Sequence, residues 1–277
     1  MSIYEMVTQK ILTQLESGDI PWRKPWIAIG GACNYETGKP YSLLNQILLE
    51  KPGYWLTFNQ IKNNGGSIRK GEKSSVVVFY KVVEKEVEGK EEKEKYPCLR
   101  YYHVWHISQC DGIKEKQTLH YELTEDRPAE EVVQSYITRE GIKFENQMAS
   151  NKAYYSISDD KIVVPMLSQY SKVYDYYSTL FHEMVHITGA ESRLNRLTKK
   201  SVAFGGEDYS KEELVAEIGS SMLSNMFGLS LKSTMDNNVA YIKSWLKALK
   251  NDNKMIVFAS AQAEKAVKFI LNVDSDV

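Results

Sequence analysis

The chain has 277 residues, 43% hydrophobic and 26% charged, with a formal net charge of −1. That balance is ordinary for a folded protein and excludes a uniformly basic nucleic-acid binder, though not a local basic face. Three cysteines without C-x-x-C spacing (Cys33, Cys98, Cys110) argue against a disulfide framework or a cysteine zinc knuckle, and the lack of a leader-like start or an apolar run near about 18 residues points to a cytoplasmic protein with no membrane partner.

In chain order, the first residues read as an amphipathic helix ending at Gly18. Next comes Ile20-Pro21-Trp22-Arg23-Lys24-Pro25-Trp26, where two prolines stiffen a segment carrying two indoles and two cations. A turn-rich stretch over 34–41 leads into a short helix over 43–49. A strand over 54–57 and a short helix over 58–64 follow, closing at Gly65-Gly66. Runs 67–69 and 75–83 read as strands flanking the turn 70–73. Run 99–109 is the expected partner of 75–83, and the mixed-charge stretch 84–95 is the hairpin loop between them. His103 and His106, three apart on a strand, point to opposite faces and read as ordinary strand residues.

Residues 1–83 hold ten Lys or Arg against six acidic residues, interleaved with Trp22, Trp26, Tyr35, Tyr41, Tyr54, Trp55 and Phe58. Binders of single-stranded nucleic acid use that combination, a basic track for phosphates and ring faces for bases, at about 1–3 kcal/mol per stacked base. The same rings serve equally well as core, so composition leaves both readings open.

In the second half, short strands over 153–157 and 161–164 are joined by the turn Ser158-Asp159-Asp160 and stopped by Pro165. They precede His182-Glu183-Met184-Val185-His186, which spells H-E-x-x-H. Residues i and i+4 lie on one helical face, so both imidazoles reach one metal ion, most simply zinc. Glu183 between them is the general base toward a metal-bound water. The stripe Tyr177, Leu180, Phe181, Met184, Val185 and Ile187 supports a helix, with Gly189 as an expected left-handed cap. Strand, turn, strand and metal helix are the parts of a zinc-peptidase cleft, whose exposed edge strand pairs with a peptide substrate.

A catalytic zinc needs a third protein ligand. Ser192 stands where a third histidine would follow Gly189, which turns attention to a glutamate on a second helix. Ser210 is its expected N-cap and Glu213 its capping-box residue. Glu213 and Glu217 are four apart on one face. Because E-x-x-A-[D/E] resembles the third-ligand helix of gluzincin peptidases, Glu213 is the expected ligand and Glu217 the carboxylate orienting a ligand histidine. Tyr209 is a further candidate, to steady an oxyanion. Runs 222–229 and 239–249 read as packing helices, and 255–271 as a closing amphipathic helix.

Several stretches together resemble one family. They are Asn34-x-x-Thr37-Gly38-x-x-Tyr41-x-x-x-Asn45; Leu56-Thr57-Phe58-x-Gln60 through Gly66 to Arg69-Lys70-Gly71-Glu72; Thr179-Leu180-Phe181-His182-Glu183-x-x-His186-x-Thr188-Gly189; Glu212 to Gly219; and Tyr241-Ile242-x-x-Trp245-Leu246-x-x-Leu249. The chain is similar along nearly its whole length to the ArdC-type antirestriction proteins of plasmids and other mobile elements, and to the front portions of some conjugative primases. The resemblance implies an α+β protein: a small single-stranded-DNA-binding domain over 1–125, then a zincin-like, gluzincin-type metallopeptidase domain over 126–277 with a helical C-terminus. It also implies protection of incoming single-stranded DNA during conjugation. The DNA-contact candidates are Trp22, Arg23, Lys24, Trp26, Lys39, Tyr41, Asn45, Trp55, Arg69, Lys70 and Lys73. Two departures stand out: Ser42-Leu43-Leu44 where the family often has a small residue, usually Gly, and a longer loop over 84–95. Two rival functions are a metallopeptidase fold that protects DNA by binding alone, and a cytosolic zinc peptidase whose front domain binds protein.

Overall fold

The structure is a computed structural model and describes residues 1–23, 31–49, 51–85, 94–116, 129–148, 152–170, 172–197, 207–229 and 245–273. Helix α1 (Ile3–Glu16) starts at a capping box in which Ser2 Oγ accepts from Glu5 N–H and Glu5 accepts from Ser2 N–H. It stops at Gly18, whose φ of +85° suits glycine alone among common residues. Its apolar stripe Val7, Ile11, Leu12 and Leu15 is buried.

A four-stranded sheet follows, made of β1 (Ala32–Asn34), β2 (Gly53–Thr57), β4 (Ser75–Lys85) and β5 (Glu94–His106) in the order β1-β2-β5-β4. Only the β1–β2 pair is parallel. Helix α2 (Leu43–Leu48) closes the free edge of β4 through one side chain. Asn45 Nδ2 donates to Val78 O (2.8 Å) and its Oδ1 accepts from Val78 N–H (2.7 Å), imitating a neighbouring strand. Helix α3 (Phe58–Asn63) begins at a Thr57–Gln60 capping box.

Strand β3 (Ser67–Ile68) pairs with β6 (Cys110–Asp111) in a separate two-stranded sheet, so the two runs flanking the 70–73 turn part company. The β4–β5 ladder reaches the Lys85–Glu94 pair, which shortens the expected hairpin loop to 86–93, outside the described residues.

Helix α4 (Ala129–Glu140) and β7 (Lys143–Gln147) open the second half. Strand β9 (Lys161–Pro165) lies between parallel β7 and antiparallel β8 (Tyr154–Ser156), making β8 an edge strand. Helix α5 (Val173–Thr188) packs on β8 and β9, and on α6 (Glu207–Met226) and α7 (Met255–Leu271). Residues 245–251 are also helical, whereas most of the expected 239–249 helix lies outside the described residues.

One buried core runs from α1, Trp22 and α2 through α4 to α7; two smaller clusters lie on the faces of the four-stranded sheet. The boundary expected at residue 125 lies outside the described residues. Among the described residues, no helix is long and apolar enough to cross a membrane.

Two local expectations are corrected. Gly189 has φ −80°, a right-handed conformation. Glycine is needed there for space: an added Cβ would lie 2.7 Å from Leu197 Cγ and 3.1 Å from Arg196 Cγ, because residues 196 and 197 fold back onto Gly189 O. Helix α6 starts at Glu207, so Ser210 lies inside the helix and is not its N-cap.

Candidate metal centre

Helices α5 and α6 meet closely because Gly219 faces Val185; a Cβ at 219 would lie 2.8 Å from Val185 Cγ2. That approach brings Glu213 on α6 up to the histidines of α5. The ligand atoms of His182, His186 and Glu213 all lie within 4.8 Å of one another. His182 Nε2 is 3.1 Å from His186 Nε2, and each is 3.5 Å from a Glu213 oxygen. Donors bound at about 2.0–2.1 Å with tetrahedral angles stand about 3.3 Å apart, so this set fits a zinc-sized ion. The two Nε2 lone pairs converge and need a proton or a metal cation between them.

The ring of His186 is oriented from behind. Its Nδ1–H donates to Glu212 Oε1 at 3.1 Å, leaving Nε2 for the cluster. Glu212 is buried and also accepts from Arg196 Nε and Nη2 at 2.9 Å each. Arg196 in turn donates to Thr188 Oγ1 at 2.6 Å and to Val185 O, which ties the return over Gly189 to the metal helix.

Burial disfavours charge on His186, but Glu212 and Glu213 outweigh it and push its pKa up to about 10. Burial likewise opposes ionised Glu213, yet His182 and His186 hold it well below the carboxylate range. For Glu212, burial is outweighed by His186 and Arg196, and its pKa is lowered.

Glu183 lies between the histidines on α5 and is buried. Tyr209 is in the first turn of α6, one turn before Glu213 on the same face. Glu217 does not orient a histidine; it accepts from Arg23 Nη2 at 2.7 Å, and Glu212 takes the expected place. Sequence reasoning missed Glu212 although it neighbours Glu213. Which of two adjacent carboxylates faces which imidazole nitrogen depends on the rotation of α6 against α5.

The DNA-contact candidates separate by exposure. Trp22, Tyr41, Asn45 and Trp55 are buried, so they do not offer faces to bases as expected: Trp22 joins the main core, Asn45 caps β4, and Tyr41 and Trp55 join one cluster on the sheet. Arg23 is engaged by Glu217. Lys39, Arg69, Lys70 and Lys73 are exposed, while Lys24 and Trp26 lie outside the described residues. The exposed rings among the described residues of the front half are instead Phe58, Phe79, Tyr80, Tyr101 and Tyr102. The signal that could have found them is the pairing of 75–83 with 99–109. It puts Phe79 opposite Arg100 and Tyr102 opposite Val77, on one face.

Comparison with known proteins accounts for both halves. Residues 1–105 match the family model for the N-terminal domain of anti-restriction factor ArdC, and residues 131–262 match that for a zincin-like metallopeptidase. Two Escherichia coli proteins named DNA primase TraC are 30% and 31% identical over 97% of this chain, which spans 27% and 20% of their lengths. An uncharacterised Sinorhizobium fredii protein, y4eC, is 28% identical over 99% of this chain and 93% of its own. Among solved structures, the antirestriction protein ArdC from plasmid R388 is similar in two crystal structures, each 33% identical. The metal-free form has a TM-score of 0.74 over 99% of this chain and all of that one. The Mn(II)-bound form has a TM-score of 0.75 over 98% of both. The chain therefore belongs to the ArdC family of antirestriction proteins, with an ArdC-type N-terminal domain followed by a zincin-like domain.

Proposed function

We propose that this chain is an antirestriction protein of a mobile element that binds single-stranded DNA and holds one divalent ion, zinc by preference, at His182, His186 and Glu213. The observation carrying the metal half is the spacing of three donor atoms at 3.1–3.5 Å. The Mn(II)-bound form of the R388 protein supports a divalent ion. When bound, such an ion lowers the pKa of a coordinated water and polarises a carbonyl oxygen.

Around it, Glu212 fixes the tautomer of His186, and Glu183 is the buried carboxylate placed to accept a proton. Strand β8, an edge strand beside α5 among the described residues, can align an extended peptide by backbone pairing. The chemistry that follows is hydrolysis of a peptide bond in a protein met in the cytoplasm. DNA binding is supported by the exposed cations and rings of the front half and by the primase relatives.

Metal analysis of the purified protein tests the first half. About one equivalent is expected in the wild type, and none in His182→Ala or Glu213→Ala. Glu183→Gln should retain the metal and lose any cleavage of a protein substrate; retained cleavage removes its role as base. Oligonucleotide binding that weakens steeply with salt tests the second half.

A further inference from the structure

Two cavities, of about 910 and 370 Å³, share Asn34, Tyr41 and Phe79, and so form one groove. The larger lies between α7 and the β4 side of the four-stranded sheet; the smaller opens on the sheet face that carries Arg100 and Tyr102. None of their lining residues belongs to the metal cluster. We infer that this groove is the track for single-stranded nucleic acid, crossing from the front sheet onto helix α7 of the zincin-like half. The inference rests on the DNA-binding reading above and gives it a surface.

Four rings line the groove while open to solvent: Tyr102 (45% exposed), Phe79 (44%), Tyr80 (61%) and Phe258 (47%). Phe79 and Tyr102 stand edge-to-face with centroids 5.6 Å apart, so each leaves ring surface free. Four cations border them: Arg100 at the sheet end, Lys39 on the turn, and Lys254 and Lys265 on the α7 side. Lys254 Nζ sits 5.5 Å from the Tyr4 ring centroid, which keeps that charge at the rim. The acidic lining residue, Glu264, is engaged by Leu43 N–H at 3.0 Å and Lys268 Nζ at 3.2 Å. The groove is thus apolar and aromatic at its floor and cationic at its edges. An unpaired strand can put bases on those rings and phosphates beside those lysines, whereas a duplex hides its base faces.

The discriminating residues are those on the α7 side, because a site confined to the front domain would not feel them. The test is fluorescence anisotropy with a labelled 20-mer of deoxythymidine and the full chain, for wild type, Phe79→Ala, Phe258→Ala and Lys254→Glu. Lys247→Glu, which lines neither cavity, is the control. Each ring truncation should weaken binding on the order of tenfold, and Lys254→Glu should lower the salt slope by about 0.7. Because these side chains are exposed, thermal unfolding should match wild type. Photocross-linking of a bromouracil oligonucleotide to wild type should map to Phe79, Tyr80, Tyr102 or Phe258, which needs no variant. If wild type binds but Phe258→Ala and Lys254→Glu bind equally well, the track is wrong and the DNA-binding reading stands. If wild type fails to bind even at low salt, both fall.

Discussion

Replacing Glu212 with Ala should damage stability and metal affinity by separable routes. The carboxylate is buried and accepts three hydrogen bonds, one from His186 and two from Arg196. Its removal strands a guanidinium that is itself 6% exposed, and breaking a buried pair in that way costs about 3–5 kcal/mol. With a urea slope near 3 kcal/mol/M, the unfolding midpoint of the metal-free protein should fall by about 1–1.7 M. Losing the group that orients a ligand histidine should weaken metal binding about 10–100-fold, read by competition with a chromophoric zinc chelator. The double variant Glu212→Gln/Arg196→Met removes both charges while keeping volume. It should recover most of the stability and little of the metal affinity. Recovery of both together would mean that Glu212 acts only through packing, and an unchanged midpoint in Glu212→Ala would refute the buried-pair reasoning outright.

Other expectations follow from the same contacts. Asn45→Ala should cost about 2–4 kcal/mol in urea unfolding, since it leaves both polar groups of buried Val78 without their partner; a loss of oligonucleotide affinity at full stability would instead return Asn45 to the DNA contacts. Gly219→Ala gains about 1 kcal/mol of helix propensity but must push Val185 away, an overpacking cost of about 1–3 kcal/mol, so zinc titration should show weaker binding as α6 moves off α5. Arg193, nearly fully buried, donates to Asp160 and holds its carboxyl below the usual carboxylate range. A depressed folded pKa stabilises above the unfolded value and is lost as pH falls through the folded one. The difference in melting temperature between wild type and Asp160→Asn should therefore shrink from pH 6 to pH 2, and a constant difference would argue against this pair. Trp22→Ala should destabilise by about 3–5 kcal/mol, measured by thermal unfolding, as expected of a core indole rather than a base-stacking one.

Local pattern carried much of this fold. The capping residue Ser2 and the stop at Gly18 bound α1, and alternation over 75–83 and 99–109 marked a hairpin that the register bears out. Helix α4 also has its stripe, Val132, Val133, Tyr136 and Ile137, although that stretch carried no assignment. The histidine pair was legible because i and i+4 share a face in any helix. The helix carrying Glu213 was also visible, as an acidic run with helical spacing.

What sequence could not supply was the partner of each side chain across elements. Glu212 rather than Glu217 meets His186 because Gly219 sets how α6 lies on α5, and nothing local to either glutamate records that rotation. Composition counted Trp22, Tyr41 and Trp55 as binding residues, and the family resemblance added Asn45, but burial depends on which elements cover them. Trp22 lies in a turn packed against α6 as well as α1 and α2, while Tyr41 and Trp55 pack together on one face of the sheet. The sequence by itself determined which residue types and periodicities are present, since backbone geometry turns spacing into faces. Only the tertiary structure decided which faces meet, because packing and buried charge pairing are satisfied between segments far apart in the chain.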